Sequence, residues 1–552
     1  MRLPSVSVFA AIALTTLAET TPDPSDTKNS SQAIVADGIE GDDAAKLLES
    51  IQANSTDSCQ TACASLLGEF GAAKVAGSED PDYKAAIDGF WSQQQREPVP
   101  RCIFRPETAQ EVANVVRVSQ ANKCRFAFRS GGHAQFAGSS SADGGITVLF
   151  ERMAGITLSE DKKIASIGPG ALWSDIYGSL AEHNLAVVGG RVADIGIGGL
   201  VTGGGISYFS NQRGWACDNV ASYEVVLADG RIVIATPDSE YSDLYWALRG
   251  GGNNVGIVTQ FNLETFAHGP LMYGGDRVFT NESFSAAIDA FVDVAKNIDK
   301  DPKVAQFLSF AIDTRNGMRL AVAELQYSEP KTDAAIFDGW NKVPAVVDNT
   351  KINSLVNLTL ALAAPSPRGM RQSYWTVSVK FTDREIIDRL ADITFEFGDK
   401  LSHIPGMVPA QTIQVVTDPQ LKNMEKNGGN ALGLSASDGP FLVLLQSFAW
   451  MNAEDDELVL KTAADMVAQI KKMSKDMGAD HDFLYMNYAS QFQDVVASYG
   501  ESAKKLRDIA RKYDPEGVFQ TLQPGYHKLN EPESQELPVW DRVKAFFNEK
   551  FA

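Results

Sequence analysis

The stretch "RFAFRSGGHAQFAGSSSADGG", residues 125–145, sets a histidine between a glycine pair and a run of small residues. An apolar, strand-like segment leads into it. Glycine lets the chain turn at positive φ and lets another group come close to bare backbone. His133, one of only six histidines in the chain, is therefore either a turn residue or a side chain offered to something that needs exposed backbone around it. Upstream, "RCIFRPETAQEVANVVRVSQANK" reads as a strand followed by a helix. Pro106 and Thr108 open the helix, and Val112, Val115 and Val116 recur at helical spacing.

Three more glycine turns follow: "GPG" at 168–170, "GIGGLVTGGG" at 196–205 and "GGGNNVG" at 250–256. Each borders a predicted strand, and Asp229-Gly230 closes a hairpin between two alternating runs. Successive N–H groups in such turns form concavities that suit a pyrophosphate. Together the turns predict a large phosphate-bearing ligand threaded between strands. "GIGGLV" carries Val201 where the third glycine of a dinucleotide fingerprint belongs, and the chain has no P-loop lysine motif. The ligand must then sit in something other than a Rossmann fold. After about residue 268 glycine thins out. Helices over Ser283–Lys296 and Asp383–Leu401 alternate with strands such as "FLSFAIDT", "LAVAELQY" and "QSYWTVSVKF", which predicts a second α/β unit with a broad sheet. "ESAKKLRDIARKYDPEGVF" reads as a late helix stopped by Asp514-Pro515.

The segments "CIFRPETAQEV", "RSGGHAQFAGSS", "IGPGALWSDIY", "GIGGLVTGGGISYFSNQRGWACDNV" and "LRGGGNNVGIVTQF" closely resemble the FAD-binding domain of the vanillyl-alcohol oxidase / p-cresol methylhydroxylase (PCMH-type) flavoproteins. Within that superfamily the chain is most similar to the fungal berberine-bridge-enzyme-like, oxygen-dependent FAD-linked oxidoreductases. The likeness continues more loosely through "GGNALGL", "YMNYA" and "KYDPEGVF". It implies an α+β fold: a two-part FAD-binding domain, an α/β substrate domain with a broad antiparallel sheet, and a C-terminal segment returning to the FAD domain. The implied boundaries are a signal peptide at 1–18, a flexible leader at 19–55, an N-terminal helical segment at 56–97, the FAD-binding domain at 98–268, the substrate domain at 269–480, a segment completing the FAD site at 481–530 and a tail at 531–552.

By the same resemblance Arg129, Ser130, Gly131, Gly132 and His133 cradle the FAD pyrophosphate through backbone amides, and His133 stands where the family's histidine bonds to the flavin 8α-methyl. Gly198, Gly199, Thr202 and Gly203 line the flavin, and Asn254, Gly256 and Val258 approach its adenine or ribityl side. Ile195 sits near a position that influences oxygen access. Some members carry a second, cysteinyl link just before the "GIGG" turn. Val192 occupies that position and cannot form a thioether, so a single histidyl link is expected.

Proton removal from a substrate alcohol needs a base at hydrogen-bond distance. "FLYMNYAS" matches the family's Y-x-N-Y. Read as a strand, it puts Tyr485 and Asn487 on one face and Tyr488 on the other. Tyr485 is the candidate base or substrate contact, with Asn487 and Tyr488 as cofactor-side contacts. Gln411, Gln414 and Gln446 lie on the expected sheet, and Gln446 is the one expected to face a cavity. Asp194, beside a glycine turn, is either a substrate contact or a turn residue.

The whole chain bounds these expectations. Its 552 residues exceed one ordinary core, and a net charge of −21 disfavours nucleic-acid binding. "MRLPSVSVFAAIALTTLAET" has the pattern of a secretory signal, and no later segment predicts a membrane span. Sequons at Asn29, Asn54, Asn281 and Asn357 then become plausible glycan sites. Cys59, Cys63, Cys102 and Cys124 can make two disulfides in an oxidising compartment. If Cys59 and Cys63 share a helix face, each bonds outward. Cys217 is left as a buried thiol. The expectation is a secreted FAD-linked oxidoreductase acting on an alcohol or ring carbon of a small molecule, a secondary metabolite or a sugar, by hydride transfer to flavin N5 with O₂ as reoxidant. The alternatives are a dehydrogenase or cyclase with another acceptor, or a low-turnover flavin-binding protein.

Overall fold

The computed structural model of the chain describes residues 58–366, 368–529 and 539–550. The expected signal peptide, the leader, Asn29 and Asn54 lie outside the described residues.

The N-terminal helix Ser58–Phe70 sets Cys59 and Cys63 one turn apart on its buried face. Each bonds outward, Cys59 to Cys124 and Cys63 to Cys102. The helix is thereby stapled to both ends of the unit read from the first strand and helix, Cys102–Phe104 and Ala109–Asn122. Thr108 caps the second of these, its side chain accepting from Glu111 N–H. A four-stranded sheet runs Val75–Ala76, Cys102–Phe104, Ile146–Leu149, Phe126–Arg129, with the last three strands parallel. Beside it an antiparallel six-stranded sheet is built on Ile257–Ala267, and the Asp229-Gly230 hairpin forms its edge.

The third sheet has nine strands, all antiparallel. Helices Phe284–Asn297, Glu385–Leu401 and Asp456–Asp476 cover one of its faces and share a core with it. Strand parity decides what the other face presents. Along Val304–Asp313, Leu308, Phe310 and Ile312 enter the helix-side core while Phe307 and Ser309 face a cavity. Along Val408–Val416, Ile413 joins that core while Val408, Ala410 and Thr412 face the cavity. Along Phe441–Trp450, Leu442 and Leu444 point to the helices and Leu445, Ser447 and Ala449 to the cavity.

This parity corrects one expectation. Gln446 shares the phase of Leu444 and is fully buried on the helix side. Its Nε2 donates to Gln411 Oε1 at 3.1 Å, and Gln411 donates in turn to Leu390 O and Thr394 Oγ1 of the covering helix. The polar residue in an apolar strand is there to bond another polar residue under the helices. Cys217 is buried in the core of the glycine-rich half, where burial pushes its thiol well up. Among the described residues no helix is long and apolar enough to cross a membrane.

Candidate active site

The four glycine turns converge. Gly131 and Gly196 touch backbone to backbone: a Cβ on Gly131 would lie 2.3 Å from Gly196 N. Ser130 Oγ donates to Pro169 O at 2.6 Å and accepts from Gly198 N–H at 3.1 Å, tying three turns to one hydroxyl. The carbonyl of Thr202 accepts from both Gly250 and Gly252 N–H, each at 3.0 Å, and brings in the fourth. Between these turns and the open face of the nine-stranded sheet lies a cavity of about 500 Å³.

Ser130, Gly131, Gly132, His133, Gly198, Gly199, Thr202, Gly256 and Val258 line this cavity, as do Tyr485, Asn487 and Tyr488. Four expected residues stand outside its wall. Arg129 turns its guanidinium away to Ala86 O, with Glu151 3.7 Å distant and the Phe90 ring beneath it. Gly203 packs under Asn487, where a Cβ would come within 2.2 Å of Oδ1. Asn254 is fully buried and donates to Gly251 O and His527 O. Gln446 lies across the sheet.

"YMNY" is also not the strand expected. Tyr485 precedes a single 3₁₀ turn, Met486–Tyr488, so the two tyrosines part by turn geometry rather than by strand alternation. The Tyr485 hydroxyl accepts from Gly205 and Ile206 N–H, both at 3.2 Å, and from Asn487 Nδ2 at 3.0 Å. Burial pushes this phenol far up. Tyr485 holds the "GGG" turn in shape and is not a free base. Tyr488 is placed differently. Its hydroxyl accepts from Arg191 Nη2 at 2.7 Å and from Gln414 Nε2 at 2.9 Å, and Arg191 Nη1 also donates to Gln414 Oε1 at 2.6 Å. Arg191 makes no ion pair among the described residues, so its charge is directed at Tyr488 and at the face of Phe307, 5.3 Å away. Glu324 lines a small void beside Arg191, and burial raises its carboxyl to about 8, leaving it neutral at pH 7.

Several contributors were missed in the sequence. Arg191 sits in "GGRVADIG" with no local sign of a partner 297 residues on. Trp91 stacks on His133, ring centroids 4.0 Å apart and planes within 14°. Lys528 donates to Asn253 Oδ1 at 2.9 Å, behind the wall that Asn253 forms, and burial lowers its ammonium to about 7. A lone lysine near the end of the chain carries no local signal of this kind.

The lining fits a large polar cofactor. His133 Nε2, Ser140 Oγ and Gln523 Oε1 all belong to cavity-lining residues, and all three atoms are buried without a hydrogen-bond partner. Buried polar atoms are ordinarily satisfied, so three of them on residues around one cavity point to a ligand rich in hydrogen-bonding groups. The bare glycine turns beside them offer backbone N–H groups of the kind that hold phosphates.

The comparisons with known proteins agree with this geometry. A family described as an FAD binding domain matches residues 100–236. The FAD-dependent monooxygenase tpcD of Cochliobolus heterostrophus is 37% identical over 500 residues, covering 86% of this chain and 95% of that one. Among solved structures, 6-hydroxy-D-nicotine oxidase from Arthrobacter nicotinovorans superposes with a TM-score of 0.68 at 21% identity, covering 81% of this chain and 96% of its own. Glucooligosaccharide oxidase from Acremonium strictum, described with a 6-S-cysteinyl, 8α-N1-histidyl FAD, gives 0.67 at 19% identity over 85% and 98%. The fold is that of the PCMH-type FAD oxidases. The glycine cradle, the matched FAD binding domain and the fungal relatives together make this chain a member of the FAD-dependent oxidoreductase family to which the fungal FAD-dependent monooxygenases belong.

Proposed function

We propose that the protein is a secreted oxidase of an apolar small molecule bearing a hydroxyl group, of the secondary-metabolite kind, with its FAD held covalently through His133 alone. The observation that carries the reading is the hydroxyl of cavity-lining Tyr488, which accepts from Arg191 at 2.7 Å and from Gln414 at 2.9 Å. Bound FAD would supply the two-electron acceptor for a substrate C–H, with O₂ as the final oxidant. The chain supplies the rest. In its ionised form Tyr488 takes the proton of the substrate hydroxyl, and Arg191 stabilises the negative charge shared by the two oxygens. Gln414 fixes the direction of the tyrosine hydroxyl.

The substrate class rests on the opposite wall. Phe307, Leu362, Met370, Met407, Val408 and Leu445 face the cavity, with Thr314, Arg315, Gln372 and Ser447 among them. Ser309 and Thr412, which could have offered hydroxyls, bond to each other at 2.7 Å. The large apolar side chains of this wall gain by burying rings and alkyl chains, and the polar ones between them can orient a single hydroxyl. Support for the single link comes from Val192, which lines the cavity without a sulfur, and from Cys217, which lies in the core. Support for secretion comes from the N-terminal pattern, the two disulfides and the exposed sequon asparagines Asn281 and Asn357. The division into an FAD domain at 98–268, a substrate domain at 269–480 and a completing segment at 481–530 belongs to the same reading.

The test is anaerobic bleaching of the flavin by two panels, one of aromatic and polyketide-type alcohols and one of mono- and oligosaccharides, followed by peroxide measurement in air. Rapid bleaching by the first panel with stoichiometric peroxide is expected. Bleaching by the sugars alone would overturn the substrate class, and bleaching without peroxide would overturn the oxidase.

A further inference from the structure

Behind Arg191 lies a second acid that the proton transfer above leaves unused. Alternation along Met318–Tyr327 sends Ala321, Ala323, Leu325 and Tyr327 into the helix-side core, so Glu324 and Gln326 face the glycine-rich half. Glu324 stands in register with Phe307 on one neighbouring strand and with Asp276 on the other. The Arg191 guanidinium lies over that same Phe307 ring. Opposed side chains on one sheet face are close neighbours, so Phe307 brings the carboxyl and the guanidinium together. Both line a void of about 30 Å³, room for a water molecule. Among the described residues Glu324 is the one acid and Arg191 the one base on its wall. Tyr208 Oη and Gln326 Oε1 belong to lining residues too, and both atoms are buried without a hydrogen-bond partner. Gln326 Nε2 donates to Glu324 Oε1 at 2.6 Å. On the far side Asp276 accepts from Asn349 Nδ2 at 3.1 Å, and Asp348 beyond it is tied to Arg277 at 3.2 Å. Glu324 is therefore faced by Arg191 and Tyr208 from the glycine-rich half and by Asp276 from its own sheet.

We propose that Glu324 is a positioning residue for the proton transfer: protonated, it leaves the Arg191 charge to an ionised Tyr488, and ionised, it competes for that charge and keeps the proton on Tyr488. This rests on Tyr488 being the proton acceptor named above. The exchange balances on one proton. Arg191 donates to the Tyr488 oxygen at 2.7 Å and meets Glu324 across the void, one cation between two acids. In a site of low dielectric one cation does not offset two negative charges, so the two acids titrate as a pair. Burial and then the charge of Asp276 push the Glu324 carboxyl up to about 8, against the pull of Gln326 and Arg191. The proton therefore stays on Glu324 at pH 7, and the competition sets in as the pH rises past that value. Asp276, which does not line the main cavity, favours the active arrangement by keeping that proton in place.

The experiment follows the tyrosinate absorption of Tyr488 between about pH 6 and about pH 10 in the flavin-loaded protein, each variant read against the same variant carrying Tyr488→Phe. Glu324→Gln keeps the shape and the Gln326 bond while removing the charge. Its Tyr488 band should appear at a pH lower than in the wild type by about one unit, the low end of what one neighbouring charge moves. Asp276→Asn lets Glu324 ionise sooner and should move the band the opposite way. The two changes together should behave as Glu324→Gln alone. The pH profile of anaerobic flavin reduction, by the panel alcohol that bleaches fastest, should follow the band. A band unmoved in either single variant, or moved the same way in both, would overturn the inference. Reduction of Tyr488→Phe at the native rate would instead overturn Tyr488 as the proton acceptor, and with it the part of Glu324 in the transfer, even where the band shifts. Should Glu324→Gln fail to fold, Asp276→Asn decides alone: a band at the wild-type pH or below it would overturn the inference.

Discussion

Replacing Tyr488 by Phe and, separately, Tyr485 by Phe removes one oxygen from each of two neighbouring rings, with centroids 4.7 Å apart, and should give opposite phenotypes. At Tyr488 the lost hydroxyl is the proposed proton acceptor. General-base catalysis contributes roughly 10²–10⁴ in rate, or about 3–5 kcal/mol of barrier at about 1.4 kcal/mol per tenfold. The donors left behind, Arg191 Nη2 and Gln414 Nε2, are only part-buried, and their side chains stay tied by the Arg191 Nη1–Gln414 Oε1 bond at 2.6 Å, so the fold should lose only about 1 kcal/mol, the net worth of an ordinary hydrogen bond. At Tyr485 the lost oxygen serves three donors, the N–H groups of Gly205 and Ile206 and the Asn487 amide. Leaving buried donors unmet costs about 1–3 kcal/mol each at the upper end, and the turn they shape is part of the flavin cradle. Stopped-flow flavin reduction under anaerobic conditions reads the first effect; chemical unfolding and flavin retention read the second. Tyr488→Phe should reduce at least 100-fold more slowly with near-native stability. Tyr485→Phe should lose stability and flavin while its flavin-loaded fraction reduces within a few-fold of wild type. Reduction of Tyr488→Phe at the native rate would refute the reasoning, and so would a Tyr485→Phe protein that is fully stable and chemically dead.

Gly196→Ala puts a methyl 2.2 Å from Gly131 N and 2.3 Å from Ser130 Oγ, so it should separate two turns and abolish flavin binding, read from the absorbance of the purified protein. His527 is buried with Nε2 unpartnered, and its pKa falls from 6.5 to about 4. The unfolded chain therefore takes up this proton at a higher pH than the folded one, and the stabilisation present above pH 6.5 is lost as the pH falls toward 4, on the order of 3 kcal/mol in all. His527→Gln should flatten that part of the stability–pH curve, measured by guanidinium unfolding at several pH values. Removing either disulfide by paired Cys→Ala changes, Cys59 with Cys124 or Cys63 with Cys102, frees a loop of 65 or 39 residues and should cost about 4 kcal/mol on the chain-entropy relation, again read by unfolding.

What could be read in the sequence was local. The glycine turns were legible because each makes its demand within a few residues: Gly252 adopts φ +67°, and Gly131 and Gly196 leave no room for a Cβ. The disulfide partners were narrowed because a spacing of four on a helix fixes a shared face. Gln446 misled because its strand is apolar on both faces, so a lone polar residue shows neither which face meets the cavity nor which meets the helices. "YMNY" misled because a short aromatic run fits a strand and a 3₁₀ turn equally well. Arg191, Trp91 and Asp194 could not be placed, since what places them is a neighbour on another element: Tyr488 for the first and His133 for the other two.

The most direct test is the fate of the flavin when the native protein is precipitated with acid, digested and its peptides weighed. The prediction is that the flavin stays with the protein and is found on a single peptide, the one carrying His133, with the peptides of Val192 and Cys217 unmodified. Flavin free in the supernatant, or mass added to any other peptide, would contradict it.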